Sequence, residues 1–170
     1  LMRLASTTLL LLVLAEPAAA QFVASPRPTV SYPPKFFVDQ FMQICVAFDG
    51  NPDAQQAAAS AALEPYRPKR MEDGTIRYPD QNSSLKAWVK RDEKPSCNVG
   101  GFSSDEVALA GLSTLLSEQL KVLPSQSGLR GSTPVDLWPE FRGPGSGTVV
   151  ASISSSGITL TLLPLQKVPQ

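Results

Sequence analysis

The chain contains no histidine. That absence removes Ser-His-Asp and Cys-His nucleophile systems, H-E-x-x-H zinc sites and imidazole pH switches. It has only two cysteines, Cys45 and Cys97. Far apart in the chain and without histidine, they supply half a metal site at best and form no C-x-x-C redox couple. Neither sign of charge is in surplus, since 15 Lys and Arg balance 15 Asp and Glu. Nucleic-acid binding, which draws on an excess of Lys and Arg, is therefore not expected. The apolar run Leu9 to Leu14 falls well short of the ~20 residues a membrane-spanning helix needs. No cofactor-binding fingerprint is present, and no cofactor is expected.

What is there fits one domain with tails: 170 residues, with 16 prolines and 11 glycines as punctuation. Residues 1–20, LMRLASTTLLLLVLAEPAAA, join a positive start at Arg3, the apolar run, and Ala18-Ala19-Ala20 in the A-x-A pattern of a cleavage site. This predicts a signal peptide, with Gln21 as the mature N-terminus and no transmembrane segment in the mature chain. One Arg and one Glu leave with the leader, so the balance stays neutral. The expected location is the periplasm or the extracellular space, where two cysteines usually pair. The Asn82-Ser83-Ser84 sequon has meaning only in a eukaryotic secretory route and is read as chance.

Residues 21–34 carry Pro26, Pro28, Pro33 and Pro34 and read as an extended linker. Phe37, Phe41, Ile44, Cys45 and Phe48 then recur on one face of a helix over Lys35–Phe48. Asn51 and Pro52 are a good N-cap and first residue for a second, alanine-rich helix ending at Leu63. Thr75–Tyr78 reads as a short strand. Leu85–Lys90 and Ser96–Val99 alternate and predict a hairpin. Ser103 and Glu106 form a capping box ahead of a helix over Ser104–Val122, whose leucines at 109, 112, 116 and 120 share a face. Residues 124–147, rich in Pro and Gly, read as a long loop with a short strand or turn around Val135–Phe141. Thr148–Ser154 and Ile158–Leu163, rich in β-branched residues, predict a second hairpin.

The expected fold is therefore α+β in two layers: an antiparallel sheet of four to five strands with about three helices on one face. The expected domain spans residues 35–166, with 167–170 as a C-terminal tail. Cys45 on the inward helix face and Cys97 on the inward strand face predict a disulfide joining helix to sheet. Closing a loop of about 53 residues is worth roughly 4 kcal/mol in the chain-entropy account.

Several motifs invite a function and then fall short. Asp49-Gly50-Asn51-Pro52-Asp53 opens like a calcium loop but has Ala54 at the sixth position and Ser60 at the twelfth, so no metal site is expected. Ser83-Ser84-Leu85-Lys86 matches S-x-x-K without its S-D-N and K-T-G partners. Acid–base work without histidine would need paired carboxylates. The candidates are Glu64, Asp73, Asp80, Asp92, Glu93, Asp136 and Glu140, and spacing singles out no pair. No catalytic residue is assigned, and the balance leans away from an enzyme.

One cluster remains as a binding patch: Arg67, Lys69 and Arg70, joined by Arg77, Lys86, Lys90 and Arg91, with Trp88 and Trp138 as aromatic contacts. Such a patch could meet an anionic glycan or a membrane surface. The plainer reading is a solvated edge whose lysines discourage strand-to-strand aggregation. Trp88 is expected on the face opposite Leu85 and Val89, exposed as a contact or, by preference, covered by the 124–147 loop through Trp138 and Phe141.

The helix with an inward cysteine, the Asp-Gly-Asn-Pro-Asp turn, the alanine helix and the later strand cysteine resemble small exported proteobacterial proteins of uncharacterised activity. The resemblance covers the leader and about Phe36 to Gly101. It implies the periplasm and lends no activity. The favoured expectation is a non-enzymatic exported module that binds an envelope or secreted protein or a glycan. The alternatives are a histidine-free hydrolase or lyase using carboxylates, and an apolar-ligand carrier with a pocket lined by Phe37, Phe41 and Leu112.

Overall fold

A computed structural model describes residues 32–72, 76–77, 85–91, 95–103, 109–143, 146–154 and 157–164. The leader, most of the linker, the sequon, Ser83-Ser84, the C-terminal tail and the carboxylates of Asp73, Asp80, Asp92 and Glu93 lie outside them.

The first helix, α1 (Pro34–Phe41), runs on into a wide π-helical turn, Met42–Val46, closed by the Ala47 N–H on the Met42 carbonyl. A wide turn inserts one residue into the helical repeat, so the inward stripe slips. Phe37, Phe41, Ile44 and Cys45 are buried as the spacing predicts, but Val46 takes the next inward place and Phe48 is 41% exposed. Helix α2 (Pro52–Leu63) starts as expected, with the Ala54 N–H donating to Asn51 Oδ1 at 3.1 Å. Its Gln55 Nε2 donates to the Cys45 carbonyl at 3.0 Å, which ties the two helices together at the wide turn. Helix α3 (Leu109–Leu120) buries Leu112 and Leu116 completely. Ser103 Oγ is buried with no hydrogen-bond partner, so Ser103 does not act as the cap; Asp105 and Glu106 lie outside the described residues.

Eight antiparallel strands form one sheet among the described residues: β1 (Lys69–Arg70), β2 (Ile76–Arg77), β3 (Lys86–Lys90), β4 (Ser96–Gly101), β5 (Gln126–Arg130), β6 (Thr133–Trp138), β7 (Thr148–Ser154) and β8 (Gly157–Leu163). Their order is β1-β2-β3-β4-β8-β7-β6-β5, two meanders that meet where β4 pairs β8. Helix α1 lies over β4 and β8, α2 over β3, and α3 over β7 and β6. The fold is thus α+β in two layers, as expected. The strand number was underestimated: six strands have five residues or more, and β1 and β2 have two each.

The underestimate has two sources: the two-residue edge strand β1 is too short to leave a pattern, and the rest lies after α3. The segment read as a long loop holds the β5–β6 hairpin. Pro134 and Gly128 argued against a strand there. Pro134 is tolerated because it faces Leu129, at a register position where its missing N–H is not called on. Gly131, at φ +64°, supplies the left-handed turn between the strands.

Inward residues follow the register. Val89, Cys97, Leu162, Val149 and Trp138 stand side by side across five strands, and all are buried. Cys97 forms a disulfide with Cys45, Cα to Cα 5.5 Å, across 52 residues of chain. The bond joins the wide turn after α1 to β4, the helix-to-sheet staple that the two independent inward patterns predict.

Candidate binding surfaces

The pleat that sends Ala87 and Val89 into the core sends Lys86, Trp88 and Lys90 to the other face of β3, the face on which no helix packs among the described residues. Lys86 Nζ sits 5.2 Å from the centre of the Trp88 ring. Trp88 is half-buried and faces Asn98 on β4, which in turn faces Thr161 on β8. Asn98 is satisfied on both sides. Its Nδ2 donates to the Trp88 carbonyl at 3.2 Å and to Ser96 Oγ at 3.1 Å, and its Oδ1 accepts from Thr161 Oγ1 at 2.8 Å. The centre of the open face is therefore a polar surface of hydroxyls and one amide beside an aromatic ring.

The strand register adds a relationship that spacing along the chain does not show. Lys69 faces Arg77, and Arg77 faces Lys86, so three basic residues stand in one row across β1, β2 and β3. Like charges directly opposite on adjacent strands are destabilising without a counter-charge, so three basic residues at successive register positions mark this part of the face as a place for a negatively charged ligand. Lys90 lies exposed two pleats along β3.

The other residues of the sequence-derived patch are placed differently. Arg70 faces Ile76, so it belongs to the helix-side parity of β1, although it is exposed at the edge. Arg67 precedes β1, exposed and at φ +53°. Arg91 is paired with Asp53 at 2.8 Å, a solvent-exposed contact of little energetic weight. Trp138 is not part of the patch. It is 1% exposed on the helix side of β6, with β4, β8 and β7 between it and β3, and its Nε1 donates to the Val122 carbonyl at 3.2 Å. The expected cover over Trp88 by Trp138 and Phe141 is accordingly replaced by contact with Lys86.

A second concave region lies beside the C-terminal half of α3, a groove of about 550 Å³ lined by Ser113, Ser117, Glu118, Lys121 and Leu123 among others. The Ser113 hydroxyl donates to the Asp136 carboxylate, and both residues are buried. A serine–carboxylate contact is not by itself a nucleophile system, which needs a stronger base between the two groups, and the chain has no histidine to supply one. The contact pins α3 to β6. Of the other candidate carboxylates that are described, Glu64 and Glu140 are exposed. Among the described residues no group of three or more His, Cys, Asp or Glu side chains could hold a metal ion. Phe37, Phe41 and Leu112, the expected lining of a carrier pocket, are fully buried members of the continuous core.

No helix among the described residues is long and apolar enough to cross a membrane. Comparison of the chain with protein-family models, with curated proteins and with solved structures finds no match.

Proposed function

We propose that the chain is an exported, non-enzymatic binding module whose helix-free sheet face takes up an anionic glycan of the cell envelope or its surroundings. The observation that carries this reading is the Lys69–Arg77–Lys86 row on that face. Three adjacent cations with no acidic residue in their register positions are matched by a ligand carrying repeated negative charge. The surroundings favour a sugar over a lipid surface. Next to the row lie Trp88, Asn98, Thr159 and Thr161, an aromatic ring and groups suited to sugar hydroxyls. Among the described residues the most exposed large apolar side chains, Leu123 and Leu129, sit at the opposite end of the sheet, where they cannot help the row insert into a bilayer.

Export is supported by the N-terminal pattern and agrees with the disulfide. The test is binding to an oligogalacturonate, to its neutral methyl ester, and to phosphatidylglycerol vesicles. The reading expects binding to the first only, weakened about two- to fivefold by Lys86→Gln, the size of a single exposed charge contact. Equal binding to the methyl ester, or preference for the vesicles, would overturn it.

A further inference from the structure

The two edges of the sheet differ. At one end, β1 is two residues long and entirely basic, a protected edge. At the other, β5 is five residues long with every residue exposed, and among the described residues nothing pairs with its outer side. Its one charge is Arg130. Leu129 on β5 is 71% exposed and Leu123, just before the strand, 77%. Such an edge is a template for strand addition.

The register says which main-chain groups are free. Pro134 has no N–H, so Leu129 opposite it sits at a non-hydrogen-bonded pair, with its own N–H and C=O turned away from β6. Two residues back along the pleat, Ser127 is turned the same way. The free groups thus lie symmetrically about Gly128.

We infer that β5 is a self-pairing edge: two copies of this chain join antiparallel through it, about a two-fold axis at Gly128, into one continuous sheet. Ser127 then faces the partner's Leu129 and the two exchange main-chain hydrogen bonds, twice by symmetry. Gly128 meets the partner's Gly128 at the closest strand approach, where it carries no side chain to obstruct. Gln126 faces the partner's Arg130, so the strand's only charge meets an amide and not its own copy. The same operation on β1 would set cations against cations, and pairing β1 with β5 would leave an open-ended filament. A five-residue ladder is a small interface, so a reversible dimer is expected and not an obligate one. The inference does not depend on the glycan reading. If both hold, the axis, perpendicular to the sheet, presents both basic rows on the same side.

Sedimentation equilibrium of the purified chain, with cysteine cross-linking, tests it. Expected are a concentration-dependent mass that doubles, its return to the monomer value in Leu129→Lys and in Ser127→Pro, and unchanged melting in Leu129→Lys, whose side chain is outside the core. A Cβ at Gly128 meets nothing within 4 Å, so Gly128→Cys is tolerated and should form a symmetric intersubunit disulfide, while Arg130→Cys should not. A monomer at every concentration overturns the inference. So does a dimer untouched by both edge variants, or cross-linking of Arg130→Cys as fast as Gly128→Cys.

Discussion

Cys45 and Cys97 lie 5.5 Å apart at Cα, one on the wide turn after α1 and the other on β4, next to the seam where the two meanders join. The bond therefore holds the helical layer to the centre of the sheet. Replacing both cysteines with serine or alanine should lower stability by about 2–5 kcal/mol, the usual loss for a native disulfide in a small exported domain. Urea unfolding of the double variant, with and without reductant on the parent chain, measures it. Equal midpoints in all three would show that the bond carries no weight.

Ser113 and Asp136 join α3 to β6 across the core boundary. Ser113→Ala leaves a buried carboxylate without that donor and should destabilise the fold by about 1–3 kcal/mol. Replacing both together, Ser113→Ala with Asp136→Leu, should recover part of that loss, because no polar group is then left unsatisfied. Denaturant midpoints of the two single variants and the double variant decide this.

Trp138 donates its indole N–H to the Val122 carbonyl at the end of α3. Trp138→Phe should weaken the fold by roughly 1–3 kcal/mol through the lost bond and lost volume, and leave glycan binding unchanged. The pairing of a stability assay with a binding assay separates Trp138 from Trp88, whose replacement by alanine should do the reverse.

Much of this was legible in the chain. The inward cysteines, the Asn51 cap, the leucine stripe of α3 and the β7–β8 hairpin all follow from periodicity and capping, because there local preference and tertiary burial agree. The slip at Phe48 was not legible, since a wide turn has no spacing signal of its own. The β5–β6 hairpin was hidden by Pro134 and Gly128, which break strands only when their backbone groups are needed. Lys69, Arg77 and Lys86 could be named as basic residues of one patch. That they form a row depends on the register of β1, β2 and β3, which sequence spacing does not set.

The proposed export predicts a processed chain. Intact mass and N-terminal sequencing of protein recovered from the periplasm or medium of an expressing bacterium should begin at Gln21. A chain retained in the cytosol with residues 1–20 attached would remove the compartment in which an envelope glycan is met.

The basic row is what a negatively charged glycan would meet first on this face. Its direct measurement is the affinity for an oligogalacturonate as ionic strength rises from about 0.01 M to 0.15 M, where the screening length falls from roughly 30 Å to 8 Å. The parent chain should bind and lose affinity steeply across that range. The Lys69→Gln, Arg77→Gln, Lys86→Gln triple variant, folded and with an unchanged melting curve, should bind weakly with a flat salt response. A triple variant that keeps both the affinity and the salt dependence of the parent would contradict the assignment of this face.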